Sequence, residues 1–206
     1  MFSQYFSVPC RFIHDAECAA NSELWENPEI SDAICLSLGY HLGGAVIIKK
    51  ELQNGLTGKS GTFEHMTLVP DGIPCYCGKI GCAECYCSGS SLLMDKEMEL
   101  EEFFEKKAQG DTVCQSRWES YLKHLAMLIN NLHLVIESTV ILAGHITPYF
   151  TTEDFSFIKE NVRNLSTFQD LAEYLISGRC RNDAVSIGAA LPFIREFLDK
   201  IGLDDK

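Results

Sequence analysis

The sequence is short of positive charge. Its 206 residues include 17 Lys and Arg against 29 Asp and Glu, which gives a formal net charge of -12 at pH 7. No run of basic residues interrupts this acidic composition. Because such a surface repels the phosphates of nucleic acids, we expect no direct nucleic-acid contact by this chain.

The sequence also lacks an apolar run of the roughly 18 residues that are needed to span a membrane. Its start, MFSQYFSVPCRF, does not combine a charged segment with an apolar one, as a signal peptide does. We therefore expect a cytoplasmic protein with no membrane partner. In that reducing compartment the ten cysteines are not expected to form a disulfide framework.

Strand signals alternate with helix signals along the chain, which predicts an α/β fold. The strand signals are a short β-rich run over 8–16, a hairpin around a glycine-rich bend over 33–52 and a buried strand over 138–144. Helical spacing of apolar residues predicts helices over 16–25, 90–109, 116–136, 170–177 and 182–201. In the second of these, Ser90 and Ser91 are candidate N-terminal caps. In the last, Pro192 is a candidate kink.

One segment concentrates the metal-binding side chains. Residues 65–87, HMTLVPDGIPCYCGKIGCAECYC, hold one histidine and five cysteines. A closed shell of one histidine and three cysteines suits tetrahedral Zn²⁺ and is typical of a structural site. The ligands predicted from the spacing are His65, Cys75, Cys77 and Cys82, while Cys85 and Cys87 are spare thiols that can replace one of them. The alternative is a loop of reduced cysteines without a metal.

Several motifs occur in the order found in one family. CYCGKIGCAE is similar to a C-x-C-G-x-x-G-C-x-E signature, GLTGKSGTFEHM to a G-x-x-G-x-x-G-E-x-G-H loop, and IHDAECAANSE to an N-D-A-N-x-A-A segment. LSLGYHLGGAVI, VILAGHI and DAVSIGAALPFI match a Gly-Thr-Gly hairpin, a Gly-Gly adenosine strand and a C-terminal helix. Together these segments resemble the ROK family of repressors, open reading frames and sugar kinases, from about Val8 to Phe197.

The resemblance implies a two-lobed, actin-like ATPase fold of the ribonuclease H-like class. The chain matches the part of that fold after the first lobe, so we expect 1–206 to form a single C-terminal lobe. Within it, 1–30 would cross from the first lobe and 62–88 would form the zinc-binding loop. The family's D-x-G-G-T-K phosphate loop and any helix-turn-helix are not in the sequence, which suggests either a fragment or a naturally short member. The resemblance also implies a homodimer.

The resemblance assigns site residues as well. Asp15 falls on the catalytic aspartate of the kinases, which accepts the proton of the attacking sugar hydroxyl. The implied sugar contacts are His14, Asp15, Thr62, Glu64, His65 and Glu84, and the implied nucleotide-side positions are Gly39 and Gly144. Two alternatives come from residue type alone: Asp15 can cap the helix after it, and Glu84 can bind a nearby backbone amide or a cation.

Other positions depart from the family pattern. Thr62 replaces the glutamate of G-E-x-G-H, and Glu64 stands two positions later. His14 replaces the asparagine before the catalytic aspartate. On the nucleotide side, Tyr40 and His41 replace small residues that let the backbone approach phosphate. Phosphoryl transfer by this chain alone is therefore not expected.

The resemblance and its departures together predict a sugar-sensing, effector-binding domain of a ROK-type transcriptional regulator. It would bind a sugar or sugar phosphate and carry structural Zn²⁺. The first alternative is a truncated ATP-dependent sugar kinase of the glucokinase or N-acetylhexosamine kinase type, which uses Mg-ATP and Asp15 as its base. The second is a degenerate structural or oligomerisation module.

Overall fold

The computed structural model describes residues 5–6, 8–93, 98–168, 171–180 and 183–202. Its helices are α1 (Asp15–Glu26), α2 (Glu84–Cys87), α3 (Leu100–Ala108), α4 (Thr112–Val135), α5 (Thr152–Leu165) and α6 (Ala184–Lys200). Its strands are β1 (Ala33–Leu38), β2 (Leu42–Ile48), β3 (Glu51–Leu52), β4 (Thr139–Ala143) and β5 (Leu175–Ser177). Short 3-10 turns cover Phe63–His65, Gly89–Ser91 and Thr147–Tyr149.

The five strands form a sheet in the order β3-β2-β1-β4-β5. β1 and β2 are the antiparallel arms of a hairpin, with Leu38 opposite Leu42 next to the turn. β1 runs parallel to β4, and β4 runs parallel to β5. The carboxyl ends of β1 and β4 therefore meet at one edge, which is where open α/β sheets commonly bind ligands.

Successive residues of β1 face opposite sides of the sheet, because side chains alternate along a strand. Ile34, Leu36 and Leu38 enter a large core that they share with α4 and α5. Ala33 and Cys35 face α1 in a smaller core on the other side. The parallel part of the sheet is thus covered on both faces, as its continuous apolar sequence predicts.

α6 packs behind α1 at very close range. A Cβ added to Gly188 of α6 would lie 1.7 Å from the carbonyl oxygen of Cys18 in α1, so glycine is needed at this position. Pro192 lies within α6, which continues without a break from Ala184 to Lys200. This pair of helices supports the sheet beneath the N-terminus of α1.

The predicted α/β class is confirmed, and so are the β1–β2 hairpin, β4, α1, α4 and α6. The helix predicted over 170–177 is wrong, since β5 forms there instead. Leu175 pairs with Val140 of β4, and this pairing outweighs the helical spacing of the apolar residues. The β-rich run over 8–16 is also wrong: described residues 8–14 form neither helix nor strand, and α1 begins directly after them.

One helix prediction needs correction at its start, and one helix was missed. α3 begins at Leu100, whereas Ser90 and Ser91 lie in a 3-10 turn whose cap is Ser88, which accepts a hydrogen bond from the Ser91 amide. Residues 94–97 of that predicted helix lie outside the described residues. α5 was not predicted, although Thr151 and Asp154 form a capping box at its start. Among the described residues, no helix is both long and apolar enough to cross a membrane.

Candidate functional site

A polar cavity of about 240 Å³ opens beside the cysteine-rich segment. Four parts of the chain enclose it: the N-terminus of α1, the β1–β2 hairpin, the glycine-rich loop over 58–64 and, through Tyr76, the cysteine-rich segment. The polar side chains on its wall are His14, Asp15, Glu17, Ser37, His41, Ser60, Thr62, Glu64 and Tyr76. Carboxylates, hydroxyls and imidazoles of this kind are hydrogen-bond partners for a ligand rich in hydroxyl groups.

Asp15 is the first residue of α1 and lines the cavity. His14 occupies the N-cap position, where its side chain makes no capping hydrogen bond. Among the described residues, the adjacent amide of Ala16 is the one hydrogen-bond donor to Asp15 Oδ1, at 2.8 Å. The carboxylate lies at the positive end of the helix dipole, which stabilises its negative charge. The structure thus brings Asp15 and His14 to the cavity, and their contact with a sugar stays a prediction.

Two glycines bring the loop over 58–64 against the hairpin. Gly61 has a φ of 86°, and a Cβ there would lie 2.7 Å from the carbonyl oxygen of Gly44. A Cβ on Gly44 would lie 2.3 Å from Cδ2 of Phe63. This backbone-to-backbone approach places Thr62 and Glu64 on the cavity wall, and Thr62 Oγ1 donates to the carbonyl oxygen of Lys59.

Glu64 is half-buried at the bottom of this loop, and burial raises the pKa of its carboxyl group. Its Oε2 atom is buried and accepts no hydrogen bond from the described residues. A buried polar oxygen without a partner costs about 1–3 kcal/mol. Glu64 also lines the cavity, so a hydroxyl group bound there would remove that cost if it reached Oε2.

Glu84 lies behind the cavity wall, at the start of α2. Its Oε1 is 2.7 Å from Nδ1 of His41, and its Oε2 accepts the amide hydrogen of Leu42 at 2.8 Å. Glu84 is only 3% exposed, whereas His41 is exposed and lines the cavity. The structure therefore shows Glu84 as the partner of a backbone amide and of an imidazole, and its direct contact with a sugar stays a prediction.

The side chains of His65, Cys75, Cys77 and Cys82 converge on one point. Their ligand atoms all lie within 4.8 Å of one another, with 3.7 Å between the sulfurs of Cys77 and Cys82 and 3.9 Å from Cys75 Sγ to His65 Nδ1. Two sulfurs bound tetrahedrally to one Zn²⁺ would be about 3.8 Å apart. The four predicted ligands therefore form a cluster that fits a metal ion.

Loop geometry explains how distant positions reach this cluster. Thr67 forms a bridge with Cys82, and Pro74 forms one with Ile80, so the segment folds back on itself twice. Gly78 and Gly81 have φ angles of 88° and 75°, which favour glycine. His65 faces the ring of Tyr76 and is not on the cavity wall.

The thiols of the cluster have unequal acidity. Burial raises the pKa of Cys82 to about 12, whereas the backbone amide of Lys79 lowers that of Cys77. Burial likewise raises the pKa of the neighbouring Cys85 to about 11, and that thiol donates weakly to the carbonyl oxygen of Pro74. Binding of a metal would therefore release protons, since thiolates are the ligands.

Gly39 and Gly144 lie side by side at the carboxyl ends of β1 and β4. Gly144 has a φ of 98°, and its backbone lies against Leu38, so a side chain would not fit. Tyr40 and His145 next to them are exposed. The two glycines predicted for the nucleotide side thus come together, with bulky side chains beside them.

Sequence reasoning missed Glu17, Ser37, His41, Ser60 and Tyr76 as cavity residues. Glu17 had a local signal, since it stands two positions after Asp15. Tyr76 had one as well, since it stands between two predicted metal ligands. His41 had none, because its partner Glu84 is 43 residues away in the sequence.

Comparison with known proteins identifies relatives. A family model described as the ROK family matches residues 1–193. An N-acetyl-D-glucosamine kinase from Salmonella paratyphi B is 28% identical over 159 residues, which cover 68% of this chain and 52% of the enzyme. The chain thus spans about half the length of that relative.

Solved structures show the same fold. The ROK hexokinase from Thermus thermophilus matches with a TM-score of 0.82 at 23% identity, over 96% of this chain and 69% of that one. A ROK family transcriptional regulator, a homolog of the E. coli MLC protein, matches with a TM-score of 0.75 at 19% identity, over 92% and 53% of the two chains.

Proposed function

Because the chain belongs to the ROK family and has the mixed α/β, actin-like ATPase fold of its structural neighbours, we propose that its cavity binds an unphosphorylated sugar. The observation that carries this proposal is the wall itself, in which Asp15, Glu17 and Glu64 present carboxylates beside serine, threonine and histidine side chains. The similar kinase from Salmonella acts on N-acetyl-D-glucosamine, which supports a sugar as the ligand.

The charge of the wall favours a ligand without a phosphate. Three carboxylates line the cavity, and no lysine or arginine is among its described lining residues. Two like charges 4 Å apart repel by about 1 kcal/mol in water and by more where they are partly buried. A sugar phosphate would meet this repulsion at several carboxylates, whereas a neutral sugar would not.

The cysteine cluster is proposed to hold Zn²⁺ through His65, Cys75, Cys77 and Cys82. The ion would supply positive charge that offsets three thiolates, and it would fix the loop over 62–88. Support comes from the mutual distances of the four ligand atoms. Because four protein ligands close the shell, the role is structural.

We assign this sugar site to the effector-binding domain of a ROK-type transcriptional regulator. Recognition of a sugar requires the cavity, whereas phosphoryl transfer also requires a close approach of backbone to phosphate. Tyr40 and His41 occupy the hairpin where that approach would occur, and His41 is held there by Glu84. A ligand that binds two conformations with different affinity would shift the equilibrium between them and transmit the signal.

A sugar kinase is the second candidate, and one observation favours it. Asp15 lines the cavity, and within the described part of the chain its carboxylate forms only a local hydrogen bond, so it can accept a proton from a sugar hydroxyl. The similarity to an N-acetyl-D-glucosamine kinase points the same way. In this case Mg-ATP would be the second substrate, and Gly39 and Gly144 would lie next to it.

Titration calorimetry tests the sugar site directly. Glucose, N-acetylglucosamine and N-acetylmannosamine are each compared with their 6-phosphates, and at least one free sugar is expected to bind at least about tenfold more tightly than its phosphate, a difference of 1.4 kcal/mol. Asp15→Asn should weaken that binding, whereas Asp32→Asn, an exposed carboxylate outside the cavity, should not. No heat with any sugar would refute the proposal.

ATP turnover separates the two candidates. A coupled assay with the sugar that binds best is expected to stay at background for a regulator domain. Turnover above background that Asp15→Asn abolishes would establish the kinase instead. The homodimer and the cytoplasmic location stay predictions, and light scattering of the purified chain would test the first of them.

A further inference from the structure

We propose that His41 is the side chain that contacts the bound sugar at the hairpin, and that Glu84 is the positioning residue that holds its imidazole in place. This inference rests on the proposed sugar site. In a simpler arrangement the glutamate itself would reach the sugar. Here the carboxylate of Glu84 already binds two groups of the protein, and the imidazole of His41, which lies between it and the cavity, makes the contact with the sugar instead.

The carboxylate of Glu84 has two partners, one for each oxygen. His41 Nδ1 is 2.7 Å from Oε1, and the amide of Leu42 donates to Oε2 at 2.8 Å. The side chain of Glu84 is 4% exposed and that of His41 is 61% exposed. The buried end of this pair is therefore satisfied within the protein, and the exposed end is open to a ligand.

The orientation of the imidazole is set by this hydrogen bond. In a neutral ring, Nδ1 carries the hydrogen that it donates to the carboxylate, so Nε2 is left as an acceptor. An acceptor on the wall of a polar cavity suits the hydroxyl group of a pyranose ring. His41 thus adds a directed contact to a wall on which Asp15 and Glu64 already offer oxygens.

Aromatic contacts limit the motion of the ring. The centroids of His41 and Tyr76 are 5.7 Å apart with an interplanar angle of 72°, and those of Tyr76 and His65 are 5.4 Å apart at 75°. Tyr40 contacts the ring of His41 with an edge-to-face geometry at 5.0 Å. The imidazole is therefore held between Glu84 and two tyrosine rings.

The position of Glu84 depends on the cysteine-rich loop. It stands two residues after Cys82 and begins α2, where the Ala83 amide donates to the carbonyl oxygen of Met66 at 2.8 Å. The carboxylate of Glu84 thus joins this loop to the hairpin, in addition to the contact between the rings of Tyr76 and His41. Displacement of the loop would release His41, even though His41 lies outside the metal cluster.

A double-mutant cycle tests the proposal. Calorimetry would measure the dissociation constant of the best-binding sugar for His41→Ala, Glu84→Ala and the double variant, with His145→Ala as the exposed control. Loss of one hydrogen bond predicts roughly five- to tenfold weaker binding for His41→Ala. Glu84→Ala should have a similar effect, and the double variant should be no weaker than His41→Ala, because both changes remove the same contact.

Three results would overturn the inference. His41→Ala could bind the sugar as tightly as the unaltered chain, or Glu84→Ala could weaken binding as much in the His41→Ala background as alone, which would indicate a direct contact of Glu84. The histidine NMR spectrum gives an independent reading: Glu84→Ala should remove the Nδ1–H signal of His41, and its persistence would refute the positioning role. If Glu84→Ala fails to fold, Glu84→Gln and its double variant with His41→Ala take its place, because the glutamine side chain has one acceptor oxygen for the two donors of His41 and Leu42.

The failure of the inference can be told apart from failure of the proposed function. If the unaltered chain binds no sugar, the sugar site itself is wrong. If it binds a sugar and His41→Ala does not weaken that binding, the proposed sugar site is retained and only the proposed role of His41 is wrong.

Discussion

The two walls of the cavity are held in place by different forces. The sheet wall, formed by the N-terminus of α1 and the β1–β2 hairpin, rests on apolar cores on both faces of the sheet. The loop wall, formed by residues 58–87, has Leu68 and Ala83 as its main buried apolar anchors outside the cysteines. Burial of side chains stabilises the first wall, and the second depends on glycine backbone geometry and on the Cys/His cluster.

This difference identifies the loop wall as the part of the site that is more easily disrupted. A sheet covered on both faces loses little when one surface residue changes. A loop without a core of its own loses its shape when the group that crosslinks it is removed. Because Glu64 and Tyr76 lie on the loop wall and Asp15 on the sheet wall, the site needs both kinds of support.

Removal of one metal ligand is expected to have the largest effect. Cys77 is exposed, so Cys77→Ser leaves the core intact and changes only the proposed metal shell. Elemental analysis should show zinc falling from about one per chain to almost none. The free energy of unfolding should fall by more than about 3 kcal/mol, because structural zinc sites contribute about 10–16 kcal/mol in small domains.

Cys85→Ser is the matched control for this change, since Cys85 is a nearby thiol outside the four-residue cluster. It should keep its zinc and its stability. Loss of zinc from Cys85→Ser together with its retention by Cys77→Ser would assign the fourth ligand to Cys85 instead. Zinc absent from the unaltered chain would show that the loop wall holds its shape without a metal.

The helix whose N-terminus forms part of the sheet wall has a buried carboxyl group near its other end, on Glu23. Its side chain is fully buried and accepts hydrogen bonds from the amides of Arg179 and Cys180 at 2.8 and 2.9 Å. Glu23→Ala would leave both amides without a partner, at a cost of about 3 kcal/mol in the free energy of unfolding. Chemical denaturation would measure that loss, and zinc content should not change.

The same carboxylate predicts a pH dependence. Burial raises the pKa of Glu23 above its ordinary value of 4.5, in spite of the two backbone amides and Asn27, which lower it, while Glu26 adds a smaller upward shift. The folded state therefore holds this proton more tightly than the unfolded state. The protonated carboxyl group stabilises the folded state in full at pH values below its ordinary pKa. This stabilisation is lost as the pH rises through the pKa that Glu23 has in the folded state.

Glu23→Gln should remove this part of the pH dependence. Denaturation between pH 4.5 and pH 7 is expected to show a smaller fall in stability for the variant than for the unaltered chain. Glu26, which shifts the pKa of Glu23, and the guanidinium of Arg179, which donates to the carbonyl oxygen of Glu26, are present in both proteins and cancel in the comparison. Identical slopes would show that Glu23 does not titrate in this range.

The smallest effect is expected where the two walls touch. Gly44→Ala would place a methyl group against Phe63 and the carbonyl oxygen of Gly61, so the loop must move away from the hairpin. We expect a loss of about 1–2 kcal/mol in the free energy of unfolding, as for other overpacked sites. Gly39→Ala is the control, since its Cβ would come no closer than 3.4 Å to another atom. Equal stability of the two variants would contradict the close approach.

Local sequence patterns were sufficient to predict much of the fold and the Cys/His cluster. The continuous apolar runs are enough to identify β1, β2 and β4. The spacing of His65 and three cysteines is enough to identify the cluster, because all four ligands lie within one segment. β5 escaped prediction because Leu175 pairs with a strand that precedes α5, and no local pattern records that pairing. α5 had its capping box in the sequence, so that omission was avoidable.

The sequence by itself determined the α/β class, the family and the four side chains of the Cys/His cluster, because periodicity, motif order and ligand spacing are properties of neighbouring residues. Only the tertiary structure decided which groups face the cavity. His41 meets Glu84 across 43 residues, and Gly44 meets Gly61 across the seam between the walls. Such contacts depend on how separate elements pack in space, and residue spacing along the chain does not encode that distance.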